Sequence, residues 1–133
     1  MTQQTPLDVT TAYFDALAQG DVAAALALLS PDVRWHQPGA HRFSGTHSGP
    51  EAVAALIGGM MQVSEGTFEL GVTAAPMVNG DHVAYPVRFT ARRDGQVLDM
   101  EGVDLLTVAD GRITEVHLFS ADGPVEDRFW GAA

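Results

Sequence analysis

The hydrophobic period of this chain changes once, at Gly66. Before it, apolar residues recur three and four apart, as on one face of a helix. After it they alternate with polar neighbours: Phe68, Leu70, Val72 and Ala74 against Thr67, Glu69, Gly71 and Thr73. That is the period of a half-buried strand. The later runs are separated by three turn signals, "VNGD" (78–81), "RDGQ" (93–96) and "ADGR" (109–112). Helices first and a meander of antiparallel strands after predict an α+β fold. The expected architecture is a cone-shaped, curved antiparallel sheet, with three helices from the N-terminal half packed on its concave face. Such a sheet encloses a cavity open at one end.

The helix starts are legible residue by residue. Thr5-Pro6-Leu7-Asp8 offers an N-cap, a proline for the first helical position and an acid for the first turn. Val9, Ala12, Tyr13, Ala16 and Leu17 then share a face. Gly20 stops that helix, and Asp21 caps an alanine-rich second one expected to reach about Leu29, where Ser30-Pro31-Asp32 breaks it. A short strand is expected over 33–37, then a loop, "AHRFSGTHSG". A third helix opens at Pro50-Glu51 and weakens at Gly58-Gly59. The strands that follow are expected over 83–92, 97–108 and 113–120, with "EDRFW" (126–130) as a tail.

The 133 residues suit one domain over 1–133, and 46% hydrophobic content suits a globular chain. The net charge of −10 argues against nucleic acid and anionic membranes as partners, since both are recognised by basic patches. The apolar run at 22–29 is too short to span a bilayer, and "MTQQTPLD" carries no signal-peptide pattern, so a cytoplasmic location is expected. All seven basic residues are arginine, and there is no lysine or cysteine. Schiff-base and thiol chemistry are therefore excluded, along with disulfides and thiolate metal sites.

"AYFDALAQGDVAAALALLSPDVRWHQPG", then "SGTHSGPEAV", then strands ending in "VADGRITEVHLF" resemble the SnoaL-like branch of the nuclear transport factor 2-like superfamily. The likeness covers nearly the whole chain. That superfamily includes ketosteroid isomerases, polyketide cyclases, limonene-epoxide hydrolases, scytalone dehydratases and non-catalytic binding members, so the fold alone does not name a reaction. The resemblance puts Tyr13 on a tyrosine of the isomerase's oxyanion network and Asp104 on its oxyanion-hole aspartate. The isomerase's general-base aspartate falls on Gln37, which cannot take a proton. The arginine of the epoxide hydrolases falls on Gly102, which argues against that activity. The acid that cyclases carry near the end of the sheet falls loosely on Asp122.

Period two places Leu98, Met100, Gly102, Asp104 and Leu106 on one face, with Tyr85, Val87, Phe89 and Ala91 beside them. These side chains either line a ligand cavity, with Gly102 leaving open volume beside Asp104, or fill the core. The candidate lining is Trp35, Met60, Tyr85, Val87, Phe89, Met100, Gly102 and Leu118. Asp104 reads as a desolvated hydrogen-bond donor or acid/base group, or as a buried acid tied to a helix end or an arginine. Gln37 either binds a ligand carbonyl or caps a buried backbone group. His36 is the leading proton carrier, although strand alternation turns it away from Trp35 and Gln37 unless Pro38-Gly39 distorts the strand. The catalytic candidates are thus Asp104, Tyr13, His36 and Gln37.

His36, His41 and His47 follow no common ligand spacing, so no metal and no cofactor are expected. As an alternative, they stand as gatekeepers at a cavity mouth, or as surface-loop histidines. The opposite sheet face carries Glu101, Val103, Leu105, Glu115, His117 and Phe119 beside Arg88 and Thr90. That half-apolar face needs a cover, and the resemblance implies a homodimer through it, with Arg88 pairing a glutamate. The expected function is proton transfer on a hydrophobic, carbonyl-bearing small molecule. The rivals are a non-catalytic carrier of such a ligand and a dimeric scaffold of the same fold.

Overall fold

A computed structural model describes residues 4–132. The fold is α+β, a curved seven-stranded sheet with helices on its inner face. Its elements are α1 (Pro6–Ala18), α2 (Val22–Leu26), β1 (Leu29–Gln37), β2 (Gly45–Ser48), α3 (Pro50–Val63), β3 (Glu69–Val72), β4 (Met77–Asn79), β5 (His82–Arg93), β6 (Gln96–Ala109), β7 (Arg112–Ser120) and α4 (Gly123–Trp130). The strand order is β2-β1-β7-β6-β5-β3, with β4 also paired to β5. No helix among the described residues is long and apolar enough to cross a membrane.

The start of α1 is a closed capping box. The Thr5 hydroxyl accepts from the Asp8 amide, and the Asp8 carboxylate accepts from the Thr5 amide, both at 3.1 Å. Asp21 caps α2 through the Ala24 amide. That helix ends at Leu26, earlier than its alanine run suggests, because Leu29 already pairs with Ile113 in the sheet. Pro31 is carried inside β1 at a register shift between Leu29 and Arg34, where the ladder needs no proline N–H. The pairing of β1 with β7 is parallel, against the all-antiparallel expectation, since the chain between them returns through α3. Part of the expected loop is a strand too, with β2 pairing β1 from Arg34↔Ser48 to Gln37↔Gly45.

The two long hairpins close as expected. Asp94-Gly95 and Asp110-Gly111 all have positive φ, the requirement of a type I′ turn. In β5 the buried residues alternate from Val83 to Ala91, and in β6 from Leu98 to Val108. Gly58-Gly59 does not end α3, and Gly59 is where the Phe43 ring presses on the helix: a Cβ there would lie 2.8 Å from Phe43 Cε1.

The C-terminal segment is a helix, not a tail. Asp122 accepts from the Val125 amide and caps α4. Trp130, fully buried, packs edge-on against Phe43 and Phe129 and lies 5.9 Å from Phe68. Arg93 ties the helix end down by donating to the Phe129 and Trp130 carbonyls.

Candidate functional site

Helices and sheet enclose a cavity of about 570 Å³. Its wall is mainly apolar, from Leu17 on α1, Trp35 on β1, Leu56 and Met60 on α3, Phe89 on β5 and Leu118 on β7. A few polar groups interrupt it, among them Tyr13, Gln37, Asp104, Ser120 and Glu126. A mostly apolar hollow with a few convergent polar groups is the usual form of a small-molecule site.

Asp104 reaches the cavity because β6 keeps strict alternation from Leu98 to Val108, so it shares a face with Leu106. The residue is 8% exposed, and burial alone pushes its pKa up to about 7. Tyr13 arrives from α1, one turn after Val9 on the buried stripe. Burial raises the pKa of its phenol far above the ordinary value, and the nearby Asp104 charge raises it further. No protein hydrogen bond contributes to either shift. Two adjacent proton-bearing groups are thus left to whatever occupies the cavity.

Gln37 and Trp35 follow each other on the same face of β1. The Trp35 indole N–H donates to Gln37 Oε1 at 3.0 Å. Gln37 therefore caps a side chain while lining the cavity.

Other expected site residues lie elsewhere. His36 points to the opposite face of the sheet, since Pro38-Gly39 leaves the alternation of β1 intact. Its Nε2 meets Glu115 at 2.7 Å, its Nδ1 meets the Thr46 hydroxyl, and its ring stacks on His117 at 4.2 Å. A proton carrier for the cavity it is not. Tyr85 is under α1, its hydroxyl tied to Thr10 at 2.9 Å and its ring against Phe14. Val87 and Met100 are buried core, because the inner face of the sheet is longer than the cavity. Gly102 leaves no open volume: a Cβ there would strike the Phe119 carbonyl and approach the Phe89 ring at 3.2 Å. Glycine is needed there for the close approach of β7.

None of the loop histidines lines the cavity. His41 is buried, with its pKa lowered by burial, and its Nδ1 accepts from the Phe43 amide. His47 meets the Phe43 carbonyl. His36, Glu115 and His117 offer atoms within 4.8 Å of one another on the outer face. Spacing along the chain hides this group, because His36 and His117 come from neighbouring parallel strands. Their rings stack 14° from parallel, and both Nε2 atoms face the Glu115 carboxylate, at 2.7 and 3.6 Å. On the same face Arg88 grips Asp99 with two 2.6 Å hydrogen bonds, not a glutamate as expected.

The group missed in the sequence is Glu126. It lies on α4, 3% exposed, lines the cavity and accepts from the Ser120 hydroxyl at 2.6 Å. Asp122, the loosely matched acid, is occupied in capping that helix. The sequence signal for this helix is a capping aspartate and a proline, four and two residues before Glu126.

The match to the SnoaL-like domain family runs over residues 10–116. The chain belongs to that family. An uncharacterized protein of Mycobacterium tuberculosis is 34% identical to this SnoaL-like domain over 130 residues, 98% of this chain and 99% of its own. A steroid Delta-isomerase of Nocardioides simplex is 34% identical over 113 residues, 84% of this chain and 85% of its own. A Xanthomonas campestris protein of unknown function with a cystatin-like fold superposes with a TM-score of 0.90 at 46% identity, covering 96% of this chain and 99% of that one. The fold of this SnoaL-like domain is the nuclear transport factor 2-like one.

Proposed function

We propose that this SnoaL-like domain is a cofactor-independent enzyme that moves a proton on a hydrophobic, carbonyl-bearing small molecule. The step is an isomerisation, cyclisation or elimination that begins with loss of a proton next to the carbonyl. The observation that carries this reading is Asp104 beside Tyr13 in an apolar cavity, neither engaged by the protein. A carboxylic acid held neutral by its surroundings donates a hydrogen bond to a carbonyl oxygen as negative charge develops there. Ketosteroid isomerase is the known precedent for such an acid. The likeness to a steroid Delta-isomerase supports a steroid-like ketone as the first substrate to try.

The test is conversion of a β,γ-unsaturated steroid ketone to its conjugated isomer, read by ultraviolet absorbance. Asp104→Asn is expected to slow it by about 10²- to 10³-fold. Equal turnover by the variant sinks the assignment. A second reading, a carrier of the same ligands without chemistry, draws support from Gln37, which sits where the resemblance puts the isomerase's base. It predicts saturable binding and no product.

The partner we propose is a second copy of this chain, docked through the outer sheet face. Val97, Val103 and Phe119 stand exposed there.

A further inference from the structure

The proposed reaction needs a base, and neither residue that the sequence offered for that task can serve. Gln37 has no basic atom, and His36 lies on the other side of the sheet. Among the described residues, four ionisable groups line the cavity: Tyr13 on α1, Glu69 on β3, Asp104 on β6 and Glu126 on α4. Tyr13 holds its proton. Glu69 is exposed to solvent at its strand end. Asp104 is committed to the oxygen side of the substrate in the reading above. Glu126 remains, buried and facing the same hollow.

We infer that Glu126 is the general base of the site, taking the proton from the carbon next to the substrate carbonyl and returning it at another carbon. This assignment rests on the proton-transfer reading above. As the C–H bond breaks, its electron pair becomes the C=C bond of an enolate, and the carbonyl oxygen takes the charge beside Asp104 and Tyr13. The Glu126 acid then protonates the far end of that system, and the carboxylate is restored. Nothing else is consumed.

The surroundings of Glu126 suit the task. Ser120 on β7 donates to one oxygen at 2.6 Å, which orients the carboxylate and leaves the other oxygen to act. The Trp130 indole N–H makes no full hydrogen bond, yet it is near enough to favour the charged form. Burial works the other way, and the Asp127 charge on the same helix adds to it, so the net pKa lies above the ordinary glutamate value. A base raised toward the working pH is a stronger acceptor than a solvated one.

The test uses a substrate-independent probe of a carbon base, the ring-opening elimination of a benzisoxazole. There the base takes the ring C–H proton, the C–H pair forms a nitrile as the N–O bond breaks, and the oxygen keeps that bond's pair as the phenolate of the ring-opened, coloured cyanophenol. The protein is expected to outpace acetate at equal concentration. Glu126→Gln should lose about 100-fold or more of that rate. The rate should rise with pH through one midpoint, and Ser120→Ala should move that midpoint upward, because the lost hydrogen bond favoured the charged form. Should Glu126→Gln fail to fold, the Ser120→Ala midpoint decides alone. A rate equal to that of acetate, an unchanged rate in Glu126→Gln, or an unmoved Ser120→Ala midpoint each overturns the assignment. The steroid ketone separates the two readings. Elimination through Glu126 with the ketone untouched keeps the base and sinks the carbonyl substrate. Ketone turnover indifferent to Glu126→Gln does the reverse.

Discussion

The indole N–H of Trp35 donates to Gln37 two residues along the same strand, at 3.0 Å. An indole can only donate, so the amide oxygen must face it and the amide N–H₂ must face the cavity. Gln37 is thereby turned from the site of a missing base into a fixed hydrogen-bond donor. Gln37→Leu keeps the volume and removes the donor. Binding of a steroid phenol, a stable mimic of an enolate, is expected to weaken about tenfold, the worth of one neutral hydrogen bond. Fluorescence titration measures it. Unchanged affinity would mean that the amide meets no ligand.

Asp104 makes a second test through stability. Its folded pKa of about 7 lies above the ordinary aspartate value of 3.8. The folded state therefore favours the neutral acid. Stability from this group is fully present below the unfolded pKa and is lost as pH rises through about 7. Asp104→Asn has no charge to bury. It is expected to melt higher than wild type at pH 8, by an amount worth up to roughly 4 kcal/mol, with the gain vanishing below about pH 4. Thermal melts of both proteins at the two pH values check it. A gain that does not depend on pH would place the carboxyl in water.

How much of this was legible in the sequence varies by residue. Tyr13 and Asp104 were readable because a capped helix and an unbroken strand fix which way side chains point. The same alternation that put Asp104 inside put His36 outside. The misassigned lining, Tyr85, Val87, Met100 and Gly102, shares one cause: strand period identifies a face, but only helix placement decides which part of that face stays hollow. Glu126 and the His36–Glu115–His117 group were hidden for another reason. Each depends on segments far apart in the chain, and no local spacing records that β7 runs parallel to β1 or that α4 folds back over the sheet end.

Trp130 tests whether α4 is part of the folded core. It is fully buried among Phe43, Phe68 and Phe129, with Arg93 clamping the carbonyls at the helix end. Trp130→Ala removes that packing and leaves a cavity, at an expected cost of about 3–5 kcal/mol in urea unfolding. Because Glu126 lies one turn earlier on the same face, elimination of the benzisoxazole should fall with it. A loss under about 1 kcal/mol would mean that α4 is dispensable to the fold.

The outer face supplies the last prediction. Val103 is 37% exposed and Phe119, its register partner on β7, is 54% exposed. Leu105 beside Val103 is half-buried, so the face carries an apolar patch between Glu101 and His117. The Arg88–Asp99 pair is satisfied within one chain. Sedimentation equilibrium is expected to show a dimer. Val103→Glu places like charges across a two-fold contact and desolvates them on docking, and it is expected to weaken association at least tenfold. The cavity lies on the other face of the sheet, so phenol binding by the variant should persist. A monomer at millimolar concentration in the unsubstituted protein would leave the patch uncovered and remove the second copy from the proposal.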